Sequence, residues 1–593
     1  MDKLYSNIKK HPLLTALVLN GIFFVAAVIF CDQKYETADD FFEDAILSGA
    51  FEGRSDPHLL YSNILLGYFL KALYILIPGV SFYFLFLILL GFASVTSVLW
   101  LILRRCGDRT DTLAKLVICI IFLVFFTDDL YILTQFTKAA AVAVTSGGLV
   151  FLAGIWDENG LKAGPVTAGL SLITAGVLLR LQTIYISAPF LLAVFIYEAV
   201  RNRKRILSRL LMCTGAVILA FALQYANLLI WNTDQEYGNF KHMESYRPQI
   251  TDSDKSYNFE DIREPLSDIG IDFNDYVMIG TWNFTDRSVF DEAKLKSFIE
   301  IINAQNSKKQ INLSEKAQKI ADKNYWEYTV IWGVVAMMVF NIALNRKVWL
   351  RHLIPFLVSA ILIIAFYFYG RINYRTECSI IISCAIAMGY IAGVIPGSSR
   401  LPAKSKHLIL SLAAAAFMLW HLAVYLPDTS YKTLDQEHYF GYVWNTMQNS
   451  GGYNPNKYNI RISSRRPCEE LLSVIENDKD NYYLFDFNTF LFIGSYNHNP
   501  WKRLDSYYFR DNYFYTGGLT MMQFPGQSKV FMYNGIDPDN PFGSICNDNI
   551  RVVDNYFYDN KLTYLRQHYD ENTDIKLIGE PDGFKIWKYY RSE

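Results

Sequence analysis

The sequence predicts an α-helical polytopic membrane protein with about eleven transmembrane helices and a small α/β domain at the C-terminal end. Three observations predict this class. The chain of 593 residues is 52% hydrophobic and only 19% charged. Its apolar residues form long runs, and Lys and Arg gather in every second loop. The chain has 55 basic and 57 acidic residues, so it has no net positive charge that would favour binding to nucleic acid.

The apolar runs approach the length of about 17–25 residues that a helix needs to cross roughly 30 Å of hydrocarbon. They are Leu13–Phe30, Phe82–Leu103, Leu113–Phe126, Lys138–Ile155, Pro165–Leu179, Thr183–Tyr197, Ile206–Ile230, Tyr328–Ala343, Leu353–Tyr369, Ile380–Ile395 and Leu408–Tyr425. The first run follows a basic N-terminus, as a signal peptide would. No small-residue cleavage site follows it, so we expect a retained first helix.

The charges between the runs predict the orientation of the chain, because basic loops lie on the cytoplasmic side. The short basic segments contain Lys9, Lys10, Arg104, Arg105, Arg109, Lys162, Arg201, Arg203, Arg346, Lys347, Arg400 and Lys404. They alternate with acidic segments, which places the N-terminus inside and the C-terminus outside. Three large segments, 32–81, 231–327 and 426–593, then lie on the outer side.

We therefore expect two domains, a transmembrane module over residues 1–425 and an extracytoplasmic α/β domain over residues 426–593. Asn481–Asp486 and Ser528–Tyr533 are rich in strand-forming residues. The pattern of Lys561–Tyr569 predicts an amphipathic helix, and the final 20 residues or so predict a hairpin. That hairpin pairs Asp574–Gly579 with Gly583–Tyr589 across a Pro-Asp-Gly turn.

Several site classes are disfavoured by the sequence. It has no Gly-rich phosphate loop, and its predicted inner loops are too short to hold a nucleotide-binding domain. Its eight Cys residues form no CxxC pair, which argues against a zinc or redox centre. Cys468 and Cys546 both lie on the outer side, where a disulfide bridge or two free thiols are equally expected. Any chemistry should therefore occur outside, on substrates available there, such as lipid-linked donors.

The first predicted outer segment, residues 32–81, carries the main candidate for catalysis. Asp39 and Asp40 follow the first span closely, and a carboxylate there can take a proton from an acceptor hydroxyl. A structural alternative applies to Asp40, because Thr37 and Asp40 also fit a helix capping box. Asp56 and His58 fit a turn, with a substrate contact as the alternative. Residues 59–77 predict a helix at the outer interface, or else an additional span.

The acidic pair, its position and the predicted topology resemble the GT-C superfamily of multi-span bacterial glycosyltransferases. The string ADDFFEDAILSGAFEGRSDPHLLYSNILLG is also similar to uncharacterised relatives of the O-antigen glucosyltransferases. The resemblance implies a polyprenyl-phosphate sugar donor and a first-loop Asp as the base. The acceptor and the need for a metal vary within that superfamily.

Transfer from a lipid phosphate also needs cations near the outer interface. Arg371 and Arg375 lie in a short outer turn against the positive-inside trend, and Arg180 lies between two short spans. Arg binds phosphate through its fork of donors, although it also snorkels to lipid headgroups. Asp128 and Asp129 end the third span and are either a second acidic site, as in some GT-C members, or a solvated loop end. Lys138 would neutralise Asp129 or reach a phosphate.

The sequence thus predicts a membrane glycosyltransferase that transfers a sugar from a polyprenyl-phosphate donor to a cell-surface glycan or lipid-linked acceptor. A transporter or flippase for a lipid-linked glycan is the alternative, and a non-catalytic assembly protein is a third. We expect Asp39 and one of Arg180, Arg371 and Arg375 to face one cavity. We expect metal-independent catalysis, with Mg²⁺ or Mn²⁺ as the alternative. The C-terminal domain should cover the cavity, with Trp501 among the aromatic residues that guide the acceptor.

Overall fold

The computed structural model describes residues 2–31, 33–50, 53–203, 206–251, 259–308, 313–321, 328–344, 349–369, 372–394, 403–421, 468–493, 498–504, 512–518 and 522–592. The described chain is mainly helical, with a small sheet near its C-terminus. Its helices up to the sheet domain are α1 (Asp2–Lys10), α2 (Pro12–Phe30), α3 (Ala38–Ser48), α4 (Ile64–Leu76), α5 (Phe82–Leu103), α6 (Arg109–Phe126), α7 (Asp128–Tyr131), α8 (Phe136–Ile155), α9 (Ala163–Leu179), α10 (Ile184–Arg201), α11 (Ile206–Trp231), α12 (Gln235–Glu244), α13 (Arg247–Thr251), α14 (Phe259–Asp268), α15 (Phe273–Gly280), α16 (Glu292–Lys308), α17 (Leu313–Ala321), α18 (Thr329–Leu344), α19 (Trp349–Tyr369), α20 (Tyr374–Val394) and α21 (Ala403–Trp420).

Every predicted span coincides with one of these helices, namely α2, α5, α6, α8, α9, α10, α11, α18, α19, α20 and α21. Within the described residues, 7 helices are long and apolar enough to cross a membrane. The predicted class is confirmed, and the chain is a multi-pass membrane protein with a small sheet domain at its C-terminal end.

Helix α8 lies at the centre of the membrane bundle, and all 20 of its residues are buried. It packs closely against α9, because small residues face each other at this contact. A Cβ atom added at Gly169 would lie only 2.5 Å from the backbone N of Phe151. The hydroxyl of Thr145 lies 2.9 Å from those of Ser187 and Ser383, which ties α8 to α10 and α20. The bundle is thus held by close backbone approach and by hydrogen bonds between helices.

The first loop (residues 32–81) carries α3 and α4 and lies over the end of this bundle. A short parallel pairing joins β1 (Lys34–Tyr35) to β2 (Leu133–Thr134), which follows α7. A helix forms in the predicted stretch, namely α4, whose 13 residues span about 20 Å, less than the hydrocarbon thickness. Its apolar residues Phe69, Ile75 and Leu76 are exposed in the protein. An interfacial position for α4 stays a prediction.

The C-terminal domain contains a five-stranded sheet. Its elements are α22 (Glu469–Asn477), β3 (Tyr482–Asp486), α23 (Phe487–Ile493), β4 (Tyr513–Thr516), α24 (Pro525–Tyr533), β5 (Ile550–Val553), α25 (Tyr558–His568), β6 (Thr573–Gly579) and β7 (Ile586–Arg591). The strand order is β4-β3-β5-β7-β6, with β3, β4 and β5 parallel and β6 antiparallel to β7. The strand predicted at Asn481–Asp486, the helix at Lys561–Tyr569 and the terminal hairpin are confirmed.

The strand predicted at Ser528–Tyr533 is wrong, because this segment lies in α24. Pro525 begins that helix, a position where the missing N–H of proline costs nothing. Apolar and aromatic residues fit a buried helix as well as a strand, and here the N-terminal Pro decides between them.

The C-terminal domain and the large loop (residues 231–327) share one hydrophobic core. Asp286 accepts hydrogen bonds from Tyr564 and Tyr569, and His568 lies 2.7 Å from Asp275. The two segments therefore pack as one unit although the chain separates them. The predicted boundary at residues 425 and 426 lies outside the described residues. No disulfide bridge joins Cys468 and Cys546, both of which lie in the described part of the chain.

Candidate active site

Asp39 and Arg375 form an ion pair at the junction of the first loop and the membrane bundle. Asp39 Oδ2 lies 2.8 Å from Arg375 Nη1. The two side chains are only 14% and 18% exposed, so water screens the pair weakly. Each residue lies in the first turn of its helix, Asp39 in α3 and Arg375 in α20. The structure thus brings Asp39 into contact with Arg375, one of the three candidate Arg residues. That both residues face one cavity stays a prediction.

Arg375 also lines a cavity of about 620 Å³. One part of its wall is polar and cationic, and the other part is apolar. The polar part comprises Thr137, Arg180, Gln182, Thr183, Asn373, Arg375 and Thr376, and the remainder comprises Tyr185, Ile186, Ala365 and Phe366. Two of the predicted cations, Arg180 and Arg375, thus meet in one cavity from different helices. Such a wall suits a ligand with an anionic head and an apolar chain.

Arg180 is held in place by aromatic rings. It follows the last residue of α9, and its Cζ lies 4.7 Å from the centre of the Phe136 ring and 5.9 Å from that of Tyr61. A guanidinium over an aromatic face gains a cation–π attraction and keeps its donors free to point along its own plane. Tyr61 and Phe136 are themselves stacked, with centres 5.6 Å apart. Arg180 is therefore positioned by two elements, the first loop and the start of α8.

Asp40 has a different environment from Asp39. Its carboxylate is fully buried and accepts hydrogen bonds from the Tyr83 hydroxyl at 3.1 Å and the Phe136 N–H at 2.9 Å. Burial, together with the neighbouring charge of Asp39, raises the pKa of Asp40 well above its usual range. Thr37 occupies the N-cap position of α3, but its hydroxyl makes no cap hydrogen bond to the backbone. The geometry therefore fits a residue that anchors α3 to α5 and α8.

Two further buried carboxylates on α3 were missed by sequence reasoning. Glu43 accepts a hydrogen bond from the Tyr61 N–H at 2.8 Å, and burial raises its pKa to about 7. Asp44 is bound by the hydroxyls of Tyr35, Tyr74 and Ser81, and burial raises its pKa to about 6 against these hydrogen bonds. The spacing in the sequence does indicate Glu43, because this residue follows Asp39 by four positions and so lies on the same face of the helix.

Lys138 neutralises two buried carboxylates. Its ammonium lies 2.8 Å from Asp129 Oδ1 and contacts Glu36, and it donates to the Leu133 carbonyl at 2.8 Å. The predicted neutralisation of Asp129 is confirmed. Lys138 and Asp129 are both fully buried, so their position fits a link between the first loop and the bundle. Asp128 is likewise buried at the start of α7.

Asp56 and His58 form the predicted turn. Asp56 Oδ1 accepts the His58 N–H at 2.8 Å and lies 2.7 Å from His58 Nδ1. The His58 ring stacks on Tyr237 of the large loop at 3.6 Å between ring centres. Burial raises the pKa of Asp56, but hydrogen bonds from His58 and Tyr237 outweigh it and lower the pKa overall. These contacts account for both residues structurally, and a substrate contact by His58 stays a prediction. Arg371 lies outside the described residues.

Among the residues that the structure describes, no group of three or more His, Cys, Asp or Glu side chains is placed to hold a metal ion. The carboxylate of Asp39 contacts Arg375, and that of Asp129 contacts Lys138. The cationic side chains that line the cavity are the guanidinium groups of Arg180 and Arg375.

No protein-family model matches the chain, and no curated protein matches it significantly. Among solved structures, the chain is similar to crystal structures of ArnT from Cupriavidus metallidurans. The apo form shares 8% identity and the form bound to undecaprenyl phosphate shares 10%, each with a TM-score of 0.39. The alignments cover 98% and 97% of both chains. At this sequence identity and TM-score, the similarity assigns neither a family nor an activity.

Proposed function

We propose that the chain is a membrane glycosyltransferase that moves a sugar from a polyprenyl-phosphate donor to a glycan or lipid acceptor. One observation carries this proposal, namely the ion pair of Asp39 and Arg375 at the cationic part of an amphiphilic cavity. A base and a phosphate-binding cation are the two groups that this reaction needs side by side. The apolar walls of the cavity fit the isoprenoid chain that follows the phosphate.

In the proposed reaction, an acceptor hydroxyl attacks the anomeric carbon of the donor sugar. The Asp39 carboxylate takes the proton of that hydroxyl as the new C–O bond forms. The bond from the anomeric carbon to the phosphate oxygen breaks, and the polyprenyl phosphate leaves with the bonding electron pair. Arg375 and Arg180 stabilise the charge that develops on the leaving phosphate.

Binding of the sugar donor would also change the ion pair of Asp39 and Arg375. A phosphate that enters the cavity competes with Asp39 for Arg375, because both anions accept from the same guanidinium. When the phosphate accepts the hydrogen bonds of Arg375, Asp39 loses its partner and becomes a better proton acceptor. Donor binding would therefore prepare the base.

The basic-loop pattern of the sequence supports an extracytoplasmic position for this site. Arg375 lies in the first turn of α20, at the end that the basic-loop pattern assigns to the outside, and Asp39 lies in the first loop on the same side. The acidic and aromatic large loop and the C-terminal domain then lie outside as well. Polyprenyl-linked sugars fit this location, because the carrier lipid stays in the membrane and presents its sugar at the surface.

The test is sugar transfer from a radiolabelled polyprenyl-phosphate hexose or pentose in detergent, with wild type compared with Asp39→Asn. We expect transfer by wild type and a loss of at least about 100-fold in the variant, the scale of general base catalysis. Asp548→Asn, an exposed acid-to-amide change, is the matched control and should retain full activity. Movement of labelled lipid across a vesicle membrane without any transfer would instead support the flippase alternative.

A further inference from the structure

A short segment of the C-terminal domain, residues 498–504, contacts the C-terminal end of helix α3 and the chain that leads into this helix. Trp501 Nε1 donates to Gln33 Oε1 at 3.2 Å, ahead of strand β1. The guanidinium of Arg503 donates to the carbonyl of Ser48, the last residue of α3, from Nε at 3.1 Å and from Nη2 at 2.5 Å. The Trp501 ring packs edge-on against Phe84 at 5.0 Å, and its role in guiding an acceptor stays a prediction.

Arg503 also reaches a second helix. Its Nη1 donates to the Tyr74 carbonyl at 3.0 Å, in the last turn of α4. The residue four positions after Tyr74 is Pro78, which has no N–H to offer that carbonyl. The last carbonyls of a helix lack partners within the helix and carry partial negative charge, so a cation there is stabilising. One guanidinium thus caps the C-terminal ends of α3 and α4 together.

The contact with Tyr74 extends to the buried carboxylate of α3. The Tyr74 hydroxyl donates to Asp44, and the Ser81 hydroxyl donates to the same carboxylate at 2.9 Å. Ser81 N–H donates in turn to the Trp501 carbonyl at 3.3 Å. The orientation of α3 is therefore set at its C-terminal half by contacts that converge on residues 501–503.

The contacts of Arg503 at the C-terminal end of α3 also affect Asp39, which lies near the N-terminal end of this helix. Asp39 and Ser48 are nine residues apart, which is about 13 Å along a helix. A tilt of roughly 5° at the C-terminal end would move Asp39 by about 1 Å, and a misplacement of that size can cost about 100-fold in rate. The Arg503 anchor is thus able to control the position of the base without touching the cavity.

We propose that Arg503 is a positioning residue through which the C-terminal domain holds the Asp39 helix in its reactive orientation. This inference rests on the proposed function for its kinetic effect, but its structural effect is measured without activity. The measurement is amide hydrogen exchange over Ala38–Ser48, in parallel with steady-state transfer, for wild type, Arg503→Met and Arg503→Lys. Arg591→Met is the matched control, because Arg591 lies in the same domain with its side chain 63% exposed.

In Arg503→Met we expect exchange in α3 to become about tenfold faster while exchange in α25 stays as in wild type. The kcat of transfer should fall at least tenfold without loss of donor affinity. Arg503→Lys keeps the positive charge but loses the forked donors of the guanidinium. For this variant we expect an exchange rate and a kcat between those of wild type and Arg503→Met. Unchanged exchange in α3 would overturn the inference, as would a loss of donor affinity with unchanged kcat. If wild type transfers no sugar, the proposed function fails, and the exchange data still decide whether Arg503 anchors α3. If Arg503→Met does not fold, the same comparison is made with Arg503→Lys.

Discussion

The carboxylate of Asp39 and the guanidinium of Arg375 lie 2.8 Å apart, although 336 residues separate them in the chain. Asp39 lies in the first turn of α3, and Arg375 lies in the first turn of α20. The polar part of the cavity is adjacent, with Arg180 in its wall. In the proposed function, Asp39 and the phosphate of the sugar donor would compete for Arg375.

Replacement of Arg180 by Lys should weaken donor binding. Lys keeps the positive charge but loses both the forked donors and the stacking on Phe136 and Tyr61. We expect the Kd for a short-chain polyprenyl phosphate to rise about tenfold, measured by calorimetry in detergent. Arg263→Lys, at an exposed ion pair with Glu260, is the control. An equal Kd in both variants would show that Arg180 does not contact the donor.

Replacement of Lys138 by Met should destabilise the protein strongly. Asp129 and Glu36 would be left buried without their cation, and breaking a buried ion pair costs about 3–5 kcal/mol. Thermal unfolding in detergent should show a clear fall in Tm. The double variant Lys138→Met, Asp129→Asn should recover part of that loss, since one buried charge is removed with its partner. No difference between the single and double variants would contradict this assignment.

Glu43 should make stability fall as pH rises. Its pKa is raised to about 7 in the folded protein, so between the ordinary Glu value and about 7 the folded state holds a proton that the unfolded state has lost. This contribution is fully present below about pH 4.3 and is lost as pH rises through about 7, by up to roughly 3 kcal/mol. Glu43→Gln should therefore equal wild type in Tm at pH 4.5 and exceed it at pH 8. A lower Tm than wild type at pH 8 would contradict the raised pKa.

Transfer should not need a divalent metal. Arg375 and Arg180 supply positive charge where a leaving phosphate would lie. We expect activity to persist at wild-type level after dialysis against EDTA. Loss of activity in EDTA with recovery on addition of Mg²⁺ or Mn²⁺ would reverse this expectation.

Much of the membrane architecture could be predicted from the sequence because hydropathy and basic loops are local signals. The position of Arg375 opposite Asp39 could be anticipated as well, since both are charged residues at predicted span ends on one side. The roles of neighbouring acids could not be separated this way. Asp39 and Asp40 are adjacent in sequence, but a step of about 100° around the helix places one against Arg375 and the other against Tyr83.

The C-terminal domain was harder to predict. Its packing with the large loop depends on contacts such as Asp286 with Tyr564, 278 residues apart, and no local pattern reports such a contact. The same holds for Arg503, whose partners are the backbone carbonyls of Ser48 and Tyr74. Every residue has a backbone carbonyl, so the residue type does not indicate which carbonyl accepts a hydrogen bond from a distant side chain.

The most direct test of the site combines transfer and donor binding in one pair of proteins, wild type and Asp39→Asn. If Asp39 is the base and competes with the donor phosphate for Arg375, the variant should bind polyprenyl phosphate about 2–10-fold more tightly. It should nevertheless transfer labelled sugar at least about 100-fold more slowly. Transfer at the wild-type rate would contradict the role of Asp39 as the base, and weaker binding would contradict the competition for Arg375.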